Sequence, residues 1–210
     1  MKLQVALDRL TYEECFNIIS KIFPYTDIVE IGTGVIKEYG LGLVKSIKEE
    51  YPELIVLADV KICDAGESES ETAFNYGADI ITVMSFSDIK TIKDCIRVAE
   101  KYDGKVVVDL LNNHSADTLA TLKQAGVKNI SVHLGKDQQQ SADHSMGKLA
   151  DILKEYDLKT FYAGGINEHN VYNYLKYEPD VIIVGSGITS NENPENAAKT
   201  IKRIINDEKV

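Results

Sequence analysis

The chain has 210 residues, 44% hydrophobic and 27% charged, with 23 Lys and Arg against 33 Asp and Glu for a formal charge of -10. Such a composition lets one chain bury a large core, and it excludes disordered, collagen-like and disulfide-stapled proteins. The acidic balance counts against nucleic acid and favours a small-molecule substrate; for an anionic one, local groups must supply all the recognition.

Short runs rich in β-branched residues recur along the chain, and each is followed by a stretch of helical periodicity. Strand 3–7 leads into helix 12–22, strand 28–31 into helix 36–50, and strand 54–58 into helix 67–76. Strand 80–83 leads into helix 87–102, 106–110 into 116–125, and 130–132 into 148–156. Strand 160–163 precedes helix 168–177, and strand 181–184 precedes helix 194–205. Regular alternation implies right-handed βαβ units and a parallel sheet. Eight units of roughly 26 residues sit at the low end for a closed (β/α)8 TIM barrel, so residues 1–210 are expected to form one such domain. An open doubly wound sheet would carry a GxGxxG turn after its first strand, where this chain has Asp8-Arg9-Leu10-Thr11.

Cys15, Cys63 and Cys95 are widely spaced, odd in number and without a CxxC pair, so neither a disulfide framework nor a thiolate zinc site is expected. The opening MKLQVALDRL has too short an apolar stretch for a signal peptide, and no run approaches the roughly 20 apolar residues of a membrane span. A cytoplasmic protein without membrane contact is the expectation.

In a barrel, catalytic groups gather at the C-terminal ends of the strands. Here those ends carry Asp8, Glu30, Asp59 with Lys61, Asp109 and His133, then Gly164-Gly165 and Gly185-Ser186-Gly187. Strand alternation puts Gln4, Ala6 and Asp8 on one face, and Leu57, Asp59 and Lys61 on another. Asp59 and Lys61 are therefore neighbours, and Glu30 adds a second carboxylate from the adjacent strand. Two carboxylates with open positions around them suit Mg2+; the alternative is a metal-free Asp–Lys ion pair. Glycines directly after the seventh and eighth strands let backbone N–H groups approach a phosphate, although they also serve tight turns. Cys63, lacking a placed base, is expected to be a small buried hydrophobe. His114, His144 and His169 are expected at the surface, and Tyr172, Tyr174 and Tyr177 on a helix packing face.

Asp59-Val60-Lys61-Ile62-Cys63-Asp64 matches the D-x-K-x-x-D signature of the orotidine monophosphate decarboxylase suprafamily. Together with Met1 to Asp8, Val29 to Thr33, Leu57 to Asp59, Val132-His133-Leu134-Gly135-Lys136-Asp137-Gln138-Gln139, Ala163 to Ile166 and Ile183 to Thr189, it resembles the 3-hexulose-6-phosphate synthases along essentially the whole chain. The resemblance implies a Mg2+-dependent aldol condensation of formaldehyde with ribulose 5-phosphate to a hex-3-ulose 6-phosphate, through a 1,2-enediolate. It implies Glu30 and Asp59 as metal ligands, Lys61 beside the enediolate, His133 as general acid and base, and Asp8 orienting Lys61 or a substrate hydroxyl. Gly164, Gly165, Gly185 and Ser186 would take the phosphate. Asp64 would reach the neighbouring subunit's site, which implies a homodimer.

The departures separate neighbouring activities. Orotidine monophosphate decarboxylases carry Lys in place of Glu30 and Arg in place of Ser186. The resembling 3-keto-L-gulonate-6-phosphate decarboxylases share the metal pair but have Arg where this chain has Lys136 and Ser186. Ser186 therefore points to the synthase, Lys136 keeps the basic character of the decarboxylase, and Ser141 to Met146 differs from the Gly-containing segment of synthases. A non-catalytic sugar-phosphate-binding barrel is the remaining alternative.

Overall fold

The computed structural model describes residues 1–111, 113, 115–133 and 143–207. The strands are β1 (Lys2–Leu7), β2 (Ile28–Ile31), β3 (Ile55–Ile62), β4 (Ile80–Met84), β5 (Lys105–Asp109), β6 (Asn129–His133), β7 (Lys159–Ala163) and β8 (Val181–Val184). Each pairs in parallel with the next and β8 pairs with β1, closing the barrel that the alternating pattern predicts. The helices are α1 (Tyr12–Ile22), α2 (Thr33–Tyr39), α3 (Gly42–Glu50), α4 (Gly66–Asn75), α5 (Ile89–Lys101), α6 (Ala116–Gln124), α7 (Asp143–Lys154), α8 (Tyr172–Leu175), α9 (Ser186–Thr189) and α10 (Pro194–Asp207).

The helices form for local reasons and stay because one stripe of each is buried. In α1, a capping box between Thr11 and Glu14 satisfies the first free N–H groups, while Cys15, Ile18, Ile19 and Ile22 recur at helical spacing and are buried. They pack against the outward apolar residues of the sheet, such as Leu3, Val5 and Leu7, in one continuous layer between sheet and helices.

The N-terminal rim of the barrel is fixed by carboxylates. Asp27, Asp79 and Asp180 each precede an even-numbered strand and accept a backbone N–H from the strand before it: Leu3 at 2.7 Å, Val56 at 2.7 Å and Thr160 at 2.9 Å. Each bond locks one pairing register, so this face serves stability.

Four expected elements differ, the helix expected over 148–156 beginning earlier as α7 from Asp143. The helix expected over 36–50 is two helices, because Gly40 at φ 70° ends α2 in the left-handed region. β3 runs four residues further than expected and takes in Asp59 and Lys61; Lys61 has φ 49° and the pairing with β4 shifts between Ala58 and Ile62. The helix expected over 168–177 shrinks to α8, since the Asn167 and Asn170 side chains bond to nearby backbone N–H groups and hold a turn instead. Tyr172 is consequently exposed rather than packed, whereas Tyr177 stacks on Tyr162 with centroids 5.7 Å apart. Cys63 is exposed rather than buried, because it lies in the loop after β3.

Candidate active site

A cavity of about 500 Å3 opens at the C-terminal ends of the strands. Alternation along the strands sorts its lining into layers. Deepest are Gln4, Leu57, Val107 and Phe161 from the odd-numbered strands; above them lie Glu30, Thr82, Ser131 and Ile183 from the even-numbered strands; above these, Ala6, Asp59, Asp109 and Ala163. Asp8, Lys61 and the glycines of the last two loops form the rim. The interior thus turns from apolar to polar as it rises, which puts charged groups at the mouth and a packed plug of Ile28, Leu57, Ile80, Val107, Phe161 and Val181 beneath.

Lys61 is the centre of the charged cluster. Its ammonium lies 2.8 Å from Asp109 and 3.2 Å from Asp59. Burial opposes its charge, but the two carboxylates outweigh that effect and raise its pKa. Asp59 is 6% exposed and is held on both oxygens: Thr82 donates to one at 2.8 Å, and Thr33 donates to the other at 2.7 Å. Thr82 also accepts the Lys61 backbone N–H at 2.9 Å, so one hydroxyl fixes both partners.

Glu30 lies on the neighbouring strand and accepts from the Gln4 amide at 2.6 Å. Burial pushes its carboxyl up to about 8; the charges of Asp59 and Asp8 add to the rise, and the Gln4 amide and Lys61 oppose it. Asp8 faces the same space, with one carboxylate oxygen so close to Gly32 that a Cβ there would come within 1.9 Å.

This donor set fits Mg2+. Glu30 and Asp59 offer hard oxygen ligands whose mutual repulsion a divalent cation would relieve, and an ionised carboxylate has about four acceptor sites, so Asp59 keeps one beyond its three donors. The buried Oε1 of Gln4 has no partner among the described residues, which leaves a further polar atom beside the pair. No three His, Cys, Asp or Glu side chains among the described residues converge as a ready cage, so waters and substrate oxygens would complete the sphere.

On the opposite rim, Gly164 at φ 129° and Gly165 at φ 65° adopt backbone that bulkier residues resist, in the loop that follows β7. Gly185 and Ser186 line the same side after β8.

Residues 1–201 match the model of the orotidine 5'-phosphate decarboxylase / HUMPS family. The chain belongs to this family. Among curated relatives it is 40% identical over 207 residues to the 3-hexulose-6-phosphate synthase of Bacillus subtilis, covering 98% of this chain and 99% of that one. It is 33% identical over 206 residues to the enzyme of the same name from Mycobacterium gastri, covering 98% and 100% of the two chains. The crystal structure of 3-hexulose-6-phosphate synthase from Salmonella typhimurium superposes with a TM-score of 0.94 at 38% identity, covering 99% of both chains. The protein is an enzyme of the lyase class.

Of the residues singled out in the sequence, Asp8, Glu30, Asp59, Lys61, Gly164, Gly165, Gly185 and Ser186 all line this one cavity. Asp64 is exposed in the loop after β3 and lies outside it. His133 ends β6 opposite Ala163 of β7, and its side chain lies outside the described residues, as do His114 and residues 134–142 with Lys136. His169 is at the surface, its side chain 85% exposed. Asp109 and the holding groups Gln4, Thr33 and Thr82 had no assigned role in the sequence. Asp109 did stand at a strand end, and Gln4 shared the inward face of β1 with Ala6 and Asp8.

Proposed function

We propose that this protein condenses formaldehyde with ribulose 5-phosphate to a hex-3-ulose 6-phosphate, and catalyses the reverse cleavage. The observation that carries this reading is the pairing, in one cavity, of an acidic pocket built round Lys61 with a glycine-lined rim able to take a phosphate. The relatives bearing the synthase name support it across the full length of the chain.

In this reading Glu30 and Asp59 would hold Mg2+, which would supply Lewis acidity for the enediolate chemistry. Lys61, kept charged by Asp59 and Asp109, stands beside the oxygens on which negative charge develops once the C1 proton leaves. His133 takes that proton, and after C1 bonds to the formaldehyde carbon it protonates the new alkoxide. Asp8 orients Lys61 or a substrate hydroxyl. Backbone N–H groups at Gly164, Gly165, Gly185 and Ser186 receive the phosphate, leaving the reacting carbons over the carboxylates.

Two copies are expected to share their sites. The loop carrying Asp64 meets the loop after β4, where Ser87 donates to the Ile62 carbonyl at 3.1 Å, and Phe86 in that second loop is 59% exposed. An exposed aromatic in the loop next to the one that carries an exposed carboxylate suits a dimer contact that delivers Asp64 to the partner's cavity. No helix among the described residues is long and apolar enough to cross a membrane.

The test is incubation with Mg2+, ribulose 5-phosphate and formaldehyde. Consumption of formaldehyde that EDTA abolishes is expected. No consumption above the blank overturns the reading, and faster CO2 release from 3-keto-L-gulonate 6-phosphate replaces it with the decarboxylase.

A further inference from the structure

Arg9 follows Asp8 at the end of β1 and has φ 55°, a left-handed conformation that a non-glycine residue adopts at a cost. It is exposed and lines the cavity mouth with Gly164, Gly165, Gly185 and Ser186. β1 is hydrogen-bonded to β8, with Val5 opposite Val184, so the chain leaving β1 at Asp8-Arg9 emerges beside the chain leaving β8 at Gly185-Ser186.

Charge balance makes this arginine matter. Among the described residues the cavity is lined by four carboxylates, Asp8, Glu30, Asp59 and Asp109, and by two cations, Arg9 and Lys61. Lys61 is engaged by Asp59 and Asp109, whereas Arg9 forms no ion pair among the described residues. With Mg2+ held by Glu30 and Asp59 these charges only come to balance, so a phosphate monoester dianion at the mouth gains little from the cavity's overall charge, and glycine N–H groups supply only partial positive charge. A guanidinium offers a planar fork that matches two phosphate oxygens.

We propose that Arg9 binds the phosphate of the sugar-phosphate substrate from the β1 side of the glycine loops, and thereby sets the preference for phosphorylated over unphosphorylated ketoses. This rests on the reading above that the cavity takes a sugar phosphate. Arg9 is a binding residue in this assignment and takes no part in the proton transfers.

The experiment compares the full-length protein with Arg9→Leu and Arg9→Lys, each checked for an unchanged melting temperature. Ribose 5-phosphate binding is measured by calorimetry, and kinetics are measured with ribulose 5-phosphate and with ribulose. Arg9→Leu is expected to weaken ribose 5-phosphate and raise KM for ribulose 5-phosphate by roughly ten- to a hundredfold, with kcat/KM for ribulose within about twofold. Arg9→Lys should recover part of the loss, keeping the charge without the fork. Ribose 5-phosphate bound by Arg9→Leu within about twofold of wild type, or an equal loss with both ketoses, overturns the assignment. The calorimetric arm needs no turnover. Arg9-dependent binding in a protein that consumes no formaldehyde would uphold the Arg9 assignment while refuting the aldol reaction. Normal turnover with Arg9-independent binding refutes the assignment alone.

Discussion

The ammonium of Lys61 stands 2.8 Å from Asp109, a carboxylate two strands further round the barrel. Asp109 is 2% exposed, and its other oxygen accepts the Leu111 backbone N–H at 2.9 Å, so it is a rigid partner. The lysine is thereby held across the cavity instead of collapsing onto Asp59 alone. Asp109→Asn should therefore lower kcat by about tenfold to a hundredfold with a smaller change in KM, because only charge placement is lost. Steady-state kinetics check this, and an unchanged kcat would remove Asp109 from the machinery.

Asp59→Ala removes a proposed metal ligand and leaves Lys61 with one carboxylate. Activity should fall below about a tenth of wild type, and calorimetric titration with Mg2+ alone should show weakened binding. Full Mg2+ affinity in this variant would contradict the role given to Asp59.

Glu30 carries a pH dependence of defined sign. Its pKa in the folded protein, pushed up to about 8 by burial and by Asp59, lies above that of an unfolded chain. Between about pH 4.3 and 8 the folded state therefore holds a proton that the unfolded state has lost, and the metal-free protein should lose stability as pH rises through that window. Urea midpoints in EDTA should fall more steeply from about pH 5 to 8 for wild type than for Glu30→Gln. Parallel curves for the two proteins would refute the shift.

At the other end of the barrel, Asp79 accepts the Val56 N–H at 2.7 Å and pairs with Lys48 at 3.0 Å. Asp79→Ala should cost about 1 to 3 kcal/mol of stability and leave KM unaltered, since it loosens a strand register far from the substrate. Denaturation and kinetics on one preparation would separate these effects.

How far the sequence disclosed this site depends on the kind of information each residue carries. Strand alternation alone was enough to bring Asp59 and Lys61 together and to turn Asp8 into the mouth, because the period of two is local. The length of β3 was obscured because Asp59 and Lys61 interrupt its apolar run, and the Lys61 backbone leaves the extended region. The Lys61–Asp109 pair and the Thr82 bridge depend on how β3, β4 and β5 are staggered round the barrel, and no pattern within a single strand records that stagger. Thr33 and Gln4 read as ordinary polar residues until their partners, Asp59 and Glu30, are placed. The split at Gly40 was legible in principle, since glycine with a left-handed φ is a common helix stop.

In the proposed reaction the cavity joins a one-carbon aldehyde to C1 of a phosphorylated ketose. Supplying 13C-formaldehyde with ribulose 5-phosphate and Mg2+, and following the carbon by NMR, tests it most directly. The label is expected as the C1 hydroxymethyl carbon of a hex-3-ulose 6-phosphate, bonded to a carbon derived from the pentulose. Label remaining as hydrated formaldehyde under conditions in which the protein is folded and Mg2+-loaded would contradict it.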